Sequence, residues 1–263
     1  MTGSAVHAEA AEELLSAYRT RIPVEPLTGK YRDLTPGDAY QIQLLQIEQR
    51  VAAGATVKGH KVGLTSAAMQ RQMGVTQPDY GHLLDDMFWL EHQPIPASRF
   101  LQPRFEPEIA LVLERPLRGP GVTVGEAVAA VGFVLPALEL IDSRIRDWKI
   151  SLVDTIADNA SSGGVVLGST PVPLTEIDTR LAGCNLRRNG KLAGTGAGGA
   201  VLGSPVSSLV WLANTVGVHG ITLEAGHVVL PGSITAAIPA GPGDTVTATF
   251  AGLGSVTARM VED

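Results

Sequence analysis

The sequence predicts an α+β protein in which a small helical N-terminal region, residues 1–60, packs on a larger mixed-β core, residues 61–263, as one structural unit. Three observations favour this class. The first sixty residues contain a well-capped amphipathic helix, and residues 105–168 contain apolar runs of strand length. The last forty residues alternate apolar and polar side chains between turns rich in Gly and Pro. No repeat or linker divides the chain.

Capping residues and helical spacing predict four helices. Thr35 followed by Pro36 favours a helix start, and apolar side chains recur at helical spacing until Gly54 supplies a stop. The remaining helices are predicted at 65–74, where Thr65 begins the helix, at 204–217 and at 142–158.

Short apolar or alternating segments predict the strands. Three lie in the middle of the chain, at 105–113, 132–141 and 163–168. The C-terminal strands are predicted to form a β-meander at 227–233, 234–240, 244–250 and 255–261. The segment GTGAGG at 194–199 lacks the lysine of a phosphate-binding loop, so it is interpreted as a flexible loop.

Composition excludes several classes of function. The formal net charge is −6, with no block of basic residues, which argues against nucleic-acid binding. The single cysteine, Cys184, excludes an intrachain disulfide and fits a reducing compartment. The N-terminus is acidic and unlike a signal peptide, and the apolar run Val128–Leu138 is too short to span a membrane. We therefore expect a cytoplasmic protein without a membrane or nucleic-acid partner.

Two glutamates lie two positions apart in the predicted strand at 105–113. Successive side chains of a strand point to opposite faces, so Glu106 and Glu108 share one face. Phe105, Pro107 and Ile109 share the other. Paired carboxylates suit a hard cation such as Mg²⁺. Alternatively, both glutamates are the solvated face of a half-buried strand.

A third glutamate, Glu139, interrupts the apolar run of the strand at 132–141. A buried charge is costly unless it is paired or binds a metal. With Glu106 and Glu108 it would form a three-carboxylate site with open positions. The alternative is a structural ion pair between Glu139 and Arg144 or Arg146.

A second group of polar residues lies upstream. Lys61 and Asp79 occur in glycine-containing segments, VKGHKVGLT and GVTQPDYGHL, where they are candidates for catalysis or for solvated surface charge. The neighbouring His60 and His82 are interpreted as structural. Ser161 follows in a small-residue loop, and no catalytic Ser/His/Asp arrangement is evident.

Four segments carry a resemblance to a known family: KVGLTSAAMQRQMGVTQPDYGHLL, PRFEPEIALVL, LPALELIDSRIRDWKISLVDTIADNASS and GLGSVTAR. In these motifs the chain resembles the 2-keto-4-pentenoate (2-hydroxypenta-2,4-dienoate) hydratases and the sister 4-oxalocrotonate decarboxylases of the fumarylacetoacetate hydrolase superfamily. The resemblance implies a mixed β-roll core of the fumarylacetoacetate hydrolase C-terminal type that holds Mg²⁺ or Mn²⁺.

The resemblance also assigns roles to residues. It implies that Glu106, Glu108 and Glu139 are the metal ligands. Lys61 and Asp79 match the active-site lysine and aspartate of the family, and Ser161 matches a serine near the substrate carboxylate. Pro107, between two ligands, is unusual for the family and predicts a strand that is locally unpaired.

The implied reaction is the addition of water to 2-hydroxypenta-2,4-dienoate, or a close alkyl homologue, in meta-cleavage degradation of aromatic compounds. Asp79, Lys61 and a water molecule on the metal are the acid–base candidates, and Lys61 is also a candidate for binding the substrate carboxylate. The alternatives are decarboxylation of a 2-oxo-dioate of the 4-oxalocrotonate type and a non-catalytic stabilising subunit. The resemblance further implies a homo-oligomer and association with a sister decarboxylase or a downstream aldolase.

Overall fold

The computed structural model describes residues 3–262, which form seven α-helices and thirteen strands. The helices are α1 Gly3–Thr20, α2 Leu27–Lys30, α3 Pro36–Ala52, α4 Ala67–Met73, α5 Val124–Ala130, α6 Leu152–Ala157 and α7 Pro205–Gly217. The strands are β1 Val57–Gly63, β2 Asp79–Leu84, β3 Phe88–Leu90, β4 Pro94–Pro96, β5 Arg104–Leu113, β6 Val131–Ile141, β7 Ser162–Leu167, β8 Gly183–Arg188, β9 Lys191–Ala197, β10 Val228–Leu230, β11 Ile238–Pro239, β12 Thr245–Phe250 and β13 Gly254–Val261.

The strands form two sheets. The larger has the order β2-β1-β10-β5-β6-β7-β3, with β11 pairing to β5, and the smaller has the order β4-β13-β12-β8-β9. The pairs β1–β10, β3–β7 and β4–β13 are parallel and the other pairs are antiparallel, so the β core is mixed as the sequence predicts.

The main hydrophobic core lies between the two sheets. Phe105 and Ile109 of β5 and Leu138 of β6 pack there with Val246 and Ala248 of β12. Because side chains alternate along a strand, the even-numbered positions of β5 point away from this core. The two glutamates of β5 therefore lie on the opposite face of the larger sheet.

The N-terminal helices pack around one end of the larger sheet. Thr35 caps α3 in a reciprocal capping box with Asp38, as the Thr35–Pro36 pattern predicts. The ring of Tyr40 in α3 stacks on Tyr80 of β2, with centroids 4.4 Å apart. A smaller hydrophobic cluster joins α1, α3 and α6. The division at residue 60 stays a prediction, but β1 begins at Val57, so residues 57–60 belong to the sheet.

The predicted helix at 142–158 is wrong over most of its length. Only Leu152–Ala157 is α-helix, and Asp147 and Trp148 adopt positive φ. The carboxylate of Asp142 accepts hydrogen bonds from the backbone N–H groups of Leu101 and Gln102, and Ile145 forms an isolated parallel bridge with Val24. Long-range backbone contacts override local helix propensity here.

Three smaller predictions also differ from the structure. The N-cap of α4 is Ser66 and not Thr65, because the Ser66 hydroxyl accepts from the Met69 N–H. The segment 194–199 is largely part of β9 and is not a loop. The C-terminal strands are not one meander: β12 and β13 form a hairpin in the smaller sheet, whereas β10 joins the larger sheet.

One segment, Gly198–Gly217, is long and apolar enough by composition to cross a membrane. Only Pro205–Gly217 of this segment is α-helix, and it packs in the main core through residues such as Leu209 and Leu212. A helix of 13 residues rises about 20 Å, short of the roughly 30 Å of a bilayer core. We interpret α7 as a core helix.

His60 and His82 are a cross-strand pair on the face of β1 and β2 opposite Lys61, with ring centroids 4.8 Å apart. Nδ1 of His82 contacts Oε1 of Gln43 at 3.0 Å. His60 is buried, and neither of its ring nitrogens has a hydrogen-bond partner among the described residues. Burial, together with the nearby His82 and His227, lowers the pKa of His60 well below its ordinary value. Both histidines are buried in the packed interior, which agrees with the prediction that they are structural residues.

We expect His60→Leu to reduce the acid sensitivity of the fold. Above the unfolded pKa of about 6.5 both states hold a neutral imidazole, but below it only the unfolded chain takes up the proton, so stability is lost as the pH falls. Between about pH 7.5 and pH 5.5 the wild type should lose about 1.4 kcal/mol more than the variant. Urea unfolding at both pH values measures this difference. His219→Leu changes an exposed histidine and is the matched control; equal losses in wild type and His60→Leu would contradict the prediction.

Candidate active site

Three glutamates meet on one face of the larger sheet. Glu106 of β5 is directly opposite Glu139 of β6, and Glu108 lies two residues further along the same face of β5. One carboxylate oxygen from each lies within 4.8 Å of the others. Glu108 and Glu139 are completely buried, and Glu106 is partly exposed. The interpretation of Glu106 and Glu108 as a solvated strand face is therefore wrong for Glu108.

Burial makes the charges of this cluster unfavourable without a cation. The pKa of Glu106 is raised to about 7, chiefly by desolvation. The charge of Lys61 opposes this rise, and the charges of Glu139 and Asp79 add to it. Desolvation and the charges of Glu139 and Glu106 raise the pKa of Glu108 well above its ordinary value. The pKa of Glu139 is also raised, chiefly by burial. A divalent cation would supply the compensating charge that three buried carboxylates require.

The hydrogen bonding of the cluster leaves oxygens free for such a cation. Oε1 of Glu108 and both carboxylate oxygens of Glu139 are buried and have no hydrogen-bond partner among the described residues. Oε2 of Glu108 accepts from the backbone N–H of Gly232 at 2.7 Å, which fixes the orientation of this carboxylate. Buried polar atoms are almost always partnered, so the free oxygens fit a hard divalent metal ion.

Pro107 does not interrupt the pairing of the two glutamate-bearing strands, since it opposes Leu138 in a continuous ladder. On its other edge, β5 pairs with β11 at Phe105 and with β10 at Leu111, and no strand pairs with the residues between. There the Pro107 carbonyl accepts from the N–H of Ile234 at 3.0 Å. The unpaired stretch that the proline predicts is therefore present only on the edge of β5 that faces β10 and β11.

Lys61 of β1 points toward the carboxylate cluster. Its Nζ forms an ion pair with Oε1 of Glu139 at 3.3 Å, although the angles at this contact are not those of a hydrogen bond. The same Nζ donates a hydrogen bond to the carbonyl of Ala160 at 3.0 Å. Lys61 is only 3% exposed, so its interpretation as a solvated surface charge is wrong. Burial alone would lower the pKa of this ammonium, but the charges of Glu139 and Glu106 outweigh it and raise the pKa. Lys61 is therefore a fixed cation and a poor base.

Asp79 begins β2 directly opposite Gly63 of β1 and is 2% exposed, which also excludes the surface-charge interpretation. Its Oδ2 accepts from the hydroxyl of Thr155 at 3.2 Å, while Oδ1 is buried without a partner. A methyl group at Gly63 would lie 2.2 Å from Oδ1 of Asp79 and 3.6 Å from Nζ of Lys61, so both groups face the space above this glycine. Burial raises the pKa of Asp79, and the charge of Lys61 opposes the rise. Asp79 is thus suited to hold a proton and release it.

Ser161 lies in a backbone segment that bends sharply beside Lys61. Asn159, Ala160 and Ser161 have φ values of 51°, 49° and 55°, which cost of order 1–3 kcal/mol each for residues other than glycine. The hydroxyl of Ser161 is buried without a partner. This conformation turns the Ala160 carbonyl toward Lys61, so the strained backbone provides a hydrogen-bond acceptor for the lysine of the candidate site.

The strained segment is held in place by Arg144. Its guanidinium donates to Oδ1 of Asp158 at 2.5 Å, to the Asp158 carbonyl at 2.7 Å and to the Ser162 carbonyl at 2.9 Å. Both side chains of the Arg144–Asp158 pair are fully buried. The alternative ion pair of Glu139 with Arg144 or Arg146 is therefore wrong, because Arg146 pairs with Glu25 at the surface and Glu139 faces Lys61.

Sequence reasoning missed three groups of this site: the N–H of Gly232, the hydroxyl of Thr155 and the carbonyl of Ala160. Backbone groups leave no residue-type signal. Gly232 has φ of 132°, and its Cα is so close to Thr65 that a methyl group there would lie 2.1 Å from the hydroxyl oxygen. The Pro231–Gly232 pair was the available signal, since such pairs favour turns over strands.

Comparisons with known proteins agree with this geometry. The family model described as fumarylacetoacetate (FAA) hydrolase C-terminal matches residues 56–261. The chain is 44% identical over 248 residues to a 2-keto-4-pentenoate hydratase of Paraburkholderia xenovorans (strain LB400), covering 94% of this chain and 92% of that protein. It is 39% identical over 251 residues to a 4-oxalocrotonate decarboxylase of Pseudomonas putida, covering 95% of each.

In three dimensions, the structure is similar to that of a 4-oxalocrotonate decarboxylase from Pseudomonas putida G7, complexed with magnesium and adipate. The TM-score is 0.94 at 38% sequence identity, with 99% of both chains covered. This similarity confirms the fold that the sequence resemblance implies. The chain therefore belongs to the fumarylacetoacetate hydrolase C-terminal family, among the relatives named as hydratases and decarboxylases.

Proposed function

We propose that this protein is a metal-dependent hydro-lyase that adds water to 2-hydroxypenta-2,4-dienoate, or a close alkyl homologue, and forms a 4-hydroxy-2-oxo acid in meta-cleavage degradation of aromatic compounds. The observation that carries the proposal is the buried three-carboxylate cluster, whose free oxygens lie beside the cation of Lys61. Support comes from the 44% identity to a 2-keto-4-pentenoate hydratase over nearly the whole chain.

In this proposal Glu106, Glu108 and Glu139 hold Mg²⁺ or Mn²⁺. Their oxygen ligands and charge suit a hard cation, and the similar decarboxylase structure is a complex with magnesium and adipate. When bound, the cation supplies Lewis-acid stabilisation of negative charge on a substrate oxygen. The backbone N–H of Gly232 keeps the Glu108 carboxylate oriented for this role.

The remaining polar groups bind the substrate and move protons. Lys61, held as a cation, binds the substrate carboxylate or the oxygen at C2. Ser161, with a free buried hydroxyl, donates to the same carboxylate. Asp79, with a raised pKa and a free Oδ1, is the proton carrier, because an acid–base group works best when its pKa approaches the ambient pH.

The reaction balances as the addition of one water. First, the proton of the 2-hydroxyl is transferred to C5, giving an unsaturated ketone. Then the oxygen of water bonds to C4 and one of its protons passes to C3. Asp79 takes the first proton from the 2-hydroxyl and gives it to C5, and it takes the second from water and gives it to C3. It is therefore unprotonated again at the end of the reaction.

A second candidate is decarboxylation of a 2-oxo-dioate of the 4-oxalocrotonate type. It is favoured by the TM-score of 0.94 to a 4-oxalocrotonate decarboxylase. The same cluster and the same cation at Lys61 would stabilise the enolate that remains after carbon dioxide leaves. A non-catalytic subunit is the alternative of another class, and the intact, buried carboxylate cluster argues against it.

Product identification separates these functions. Purified protein with Mg²⁺ is incubated with 2-hydroxypenta-2,4-dienoate and, separately, with 4-oxalocrotonate. We expect loss of the diene ultraviolet absorbance, a product one water heavier than the substrate, and inhibition by a chelator. Release of carbon dioxide from 4-oxalocrotonate without hydration of the dienoate would favour the decarboxylase. No change in either substrate would favour the non-catalytic subunit.

We expect Gly63→Ala to reduce turnover strongly, because its new methyl group would lie 2.2 Å from Oδ1 of Asp79 and must displace this carboxylate. A displacement of about 1 Å at a catalytic group can cost about 10²-fold in rate. Gly241→Ala is the matched control, since a methyl group there meets no atom within 4 Å. Steady-state kinetics at saturating Mg²⁺ measure the effect. Wild-type turnover in Gly63→Ala would remove Asp79 from the proposed mechanism.

We also propose a homo-oligomer in the cytoplasm, with association with a sister decarboxylase or a downstream aldolase as a further property. The family resemblance supports the assembly, and the acidic chain with one cysteine supports the compartment. Light scattering should give a mass well above that of one chain. A mass near 27.5 kDa at working concentration would contradict this.

A further inference from the structure

A cavity of about 360 Å³ lies apart from the carboxylate cluster, and none of the candidate active-site residues lines it. It is bounded by the end of α1, the end of α3 and the chain around β3 and β4. Small-molecule sites commonly have volumes of about 300–1,000 Å³, so this cavity has room for a small organic ligand.

The cavity concentrates positive charge in an acidic protein. Five arginines line it, against the two carboxylates of Asp86 and Asp142, whereas the whole chain has a formal net charge of −6. Three of these arginines are already paired: Arg19 with Glu12, Arg50 with Asp86 and Arg144 with Asp158.

The other two, Arg21 and Arg99, form neither an ion pair nor a side-chain hydrogen bond with the described residues. Partial burial and the charge of Arg99 lower the pKa of Arg21, and the carboxylate of Asp142 opposes this effect, so the two guanidinium groups lie close enough to repel each other. Arg21 also adopts a left-handed conformation, with φ of 58°, at the end of α1. Two unpaired guanidinium groups that share a cavity favour an anion between them, because a guanidinium matches the planar geometry of a carboxylate.

Apart from Gln49, the rest of the wall is aromatic or apolar. Trp89 lies under the guanidinium of Arg99 at 5.7 Å, and Tyr18 lies under that of Arg144 at 4.5 Å. Phe100, Leu15 and Met87 also line the cavity. Flat side chains beside a cationic pair fit a ligand with a flat apolar body and one negatively charged end.

We propose that this cavity is a second binding site, for a small planar organic carboxylate, in which Arg21 and Arg99 bind the carboxylate and Trp89 and Phe100 contact the ring. Arg144 connects this site to the active site, because it lines the cavity and also holds Asp158 and Ser162 on either side of the strained segment. The inference does not depend on the reaction that the protein catalyses.

Calorimetric titration of the purified full-length protein without added metal tests the proposal, with benzoate as the probe. We expect one benzoate per chain. Benzamide keeps the ring without the charge, and acetate keeps the charge without the ring, so both should bind more weakly. Hydrogen bonds to a charged group contribute about 1.5–3 kcal/mol, so Arg21→Gln and Arg99→Gln should each weaken benzoate binding by about tenfold or more.

Two controls locate the site. Arg118→Gln removes an exposed arginine outside the cavity, and Lys61→Met removes the active-site cation, so both should bind benzoate as the wild type does. Circular dichroism checks the fold of each variant. The proposal is overturned if the wild type does not bind benzoate at millimolar concentration. Filling of the cavity by a partner chain would give this result. The proposal is also overturned if Lys61→Met abolishes binding, if the two arginine variants bind normally, or if acetate binds as tightly as benzoate.

Discussion

Replacing Glu108 by glutamine is expected to abolish turnover and to weaken Mg²⁺ binding, while the fold survives. Glu108 is completely buried in the carboxylate cluster, with Oε1 free and Oε2 held by the Gly232 N–H. Glutamine has nearly the same shape but removes one negative charge from the proposed metal site. Because burial raises the pKa of Glu108, loss of this charge should not destabilise the metal-free protein.

Three measurements test this prediction: turnover of the dienoate, calorimetric titration with Mg²⁺ and the midpoint of thermal unfolding. Glu114→Gln is the matched control, since Glu114 follows β5 at an exposed position. In the metal-free form, the unfolding midpoint of Glu108→Gln should equal or exceed that of the wild type. Full activity with normal Mg²⁺ affinity in Glu108→Gln would exclude the cluster as the metal site.

The second large effect is expected at Asp79. Asp79→Asn keeps the shape of the side chain and an oxygen for the Thr155 hydroxyl, but it cannot hold and release a proton. A positioned acid or base contributes about 10²–10⁴ in rate, and turnover should fall by about this factor. Metal affinity should remain nearly unchanged, because Asp79 does not belong to the carboxylate cluster.

Lys61→Met is expected to impair substrate binding, turnover or both, because it removes the cation that pairs with Glu139. Loss of the buried ion pair of Lys61 could itself perturb folding and imitate a catalytic defect, so the unfolding midpoints of Lys61→Met and Asp79→Asn are compared with that of the wild type first. The pH dependence separates the two roles: Asp79→Asn should lose the limb of the kcat profile that reports the proton carrier, and Lys61→Met should retain it. If both folded variants keep turnover and apparent affinity within about twofold, far below the usual acid–base contribution, neither residue acts on the substrate.

Local sequence rules predict much of the fold and part of the site. The capping box at Thr35 involves only neighbouring residues, and the helix begins as predicted. The alternation of β5 also depends on local geometry alone, so Glu106 and Glu108 share a face, as the period of a strand requires. The segment 142–158 could not be predicted in the same way, because Asp142 and Arg144 form their hydrogen bonds with distant parts of the chain.

The sequence by itself determined that Glu106 and Glu108 lie side by side, that the chain folds into a helical region and a mixed-β core, and, through its motifs, which family it resembles. These properties depend on local periodicity and on residue identity. Only the tertiary structure decided that Glu139 lies opposite Glu106, because this contact depends on the register of β5 and β6. It also decided that Lys61 pairs with Glu139 while Arg144 binds Asp158. A buried charge binds the opposite charge that packing brings nearest, and sequence separation does not reveal that distance.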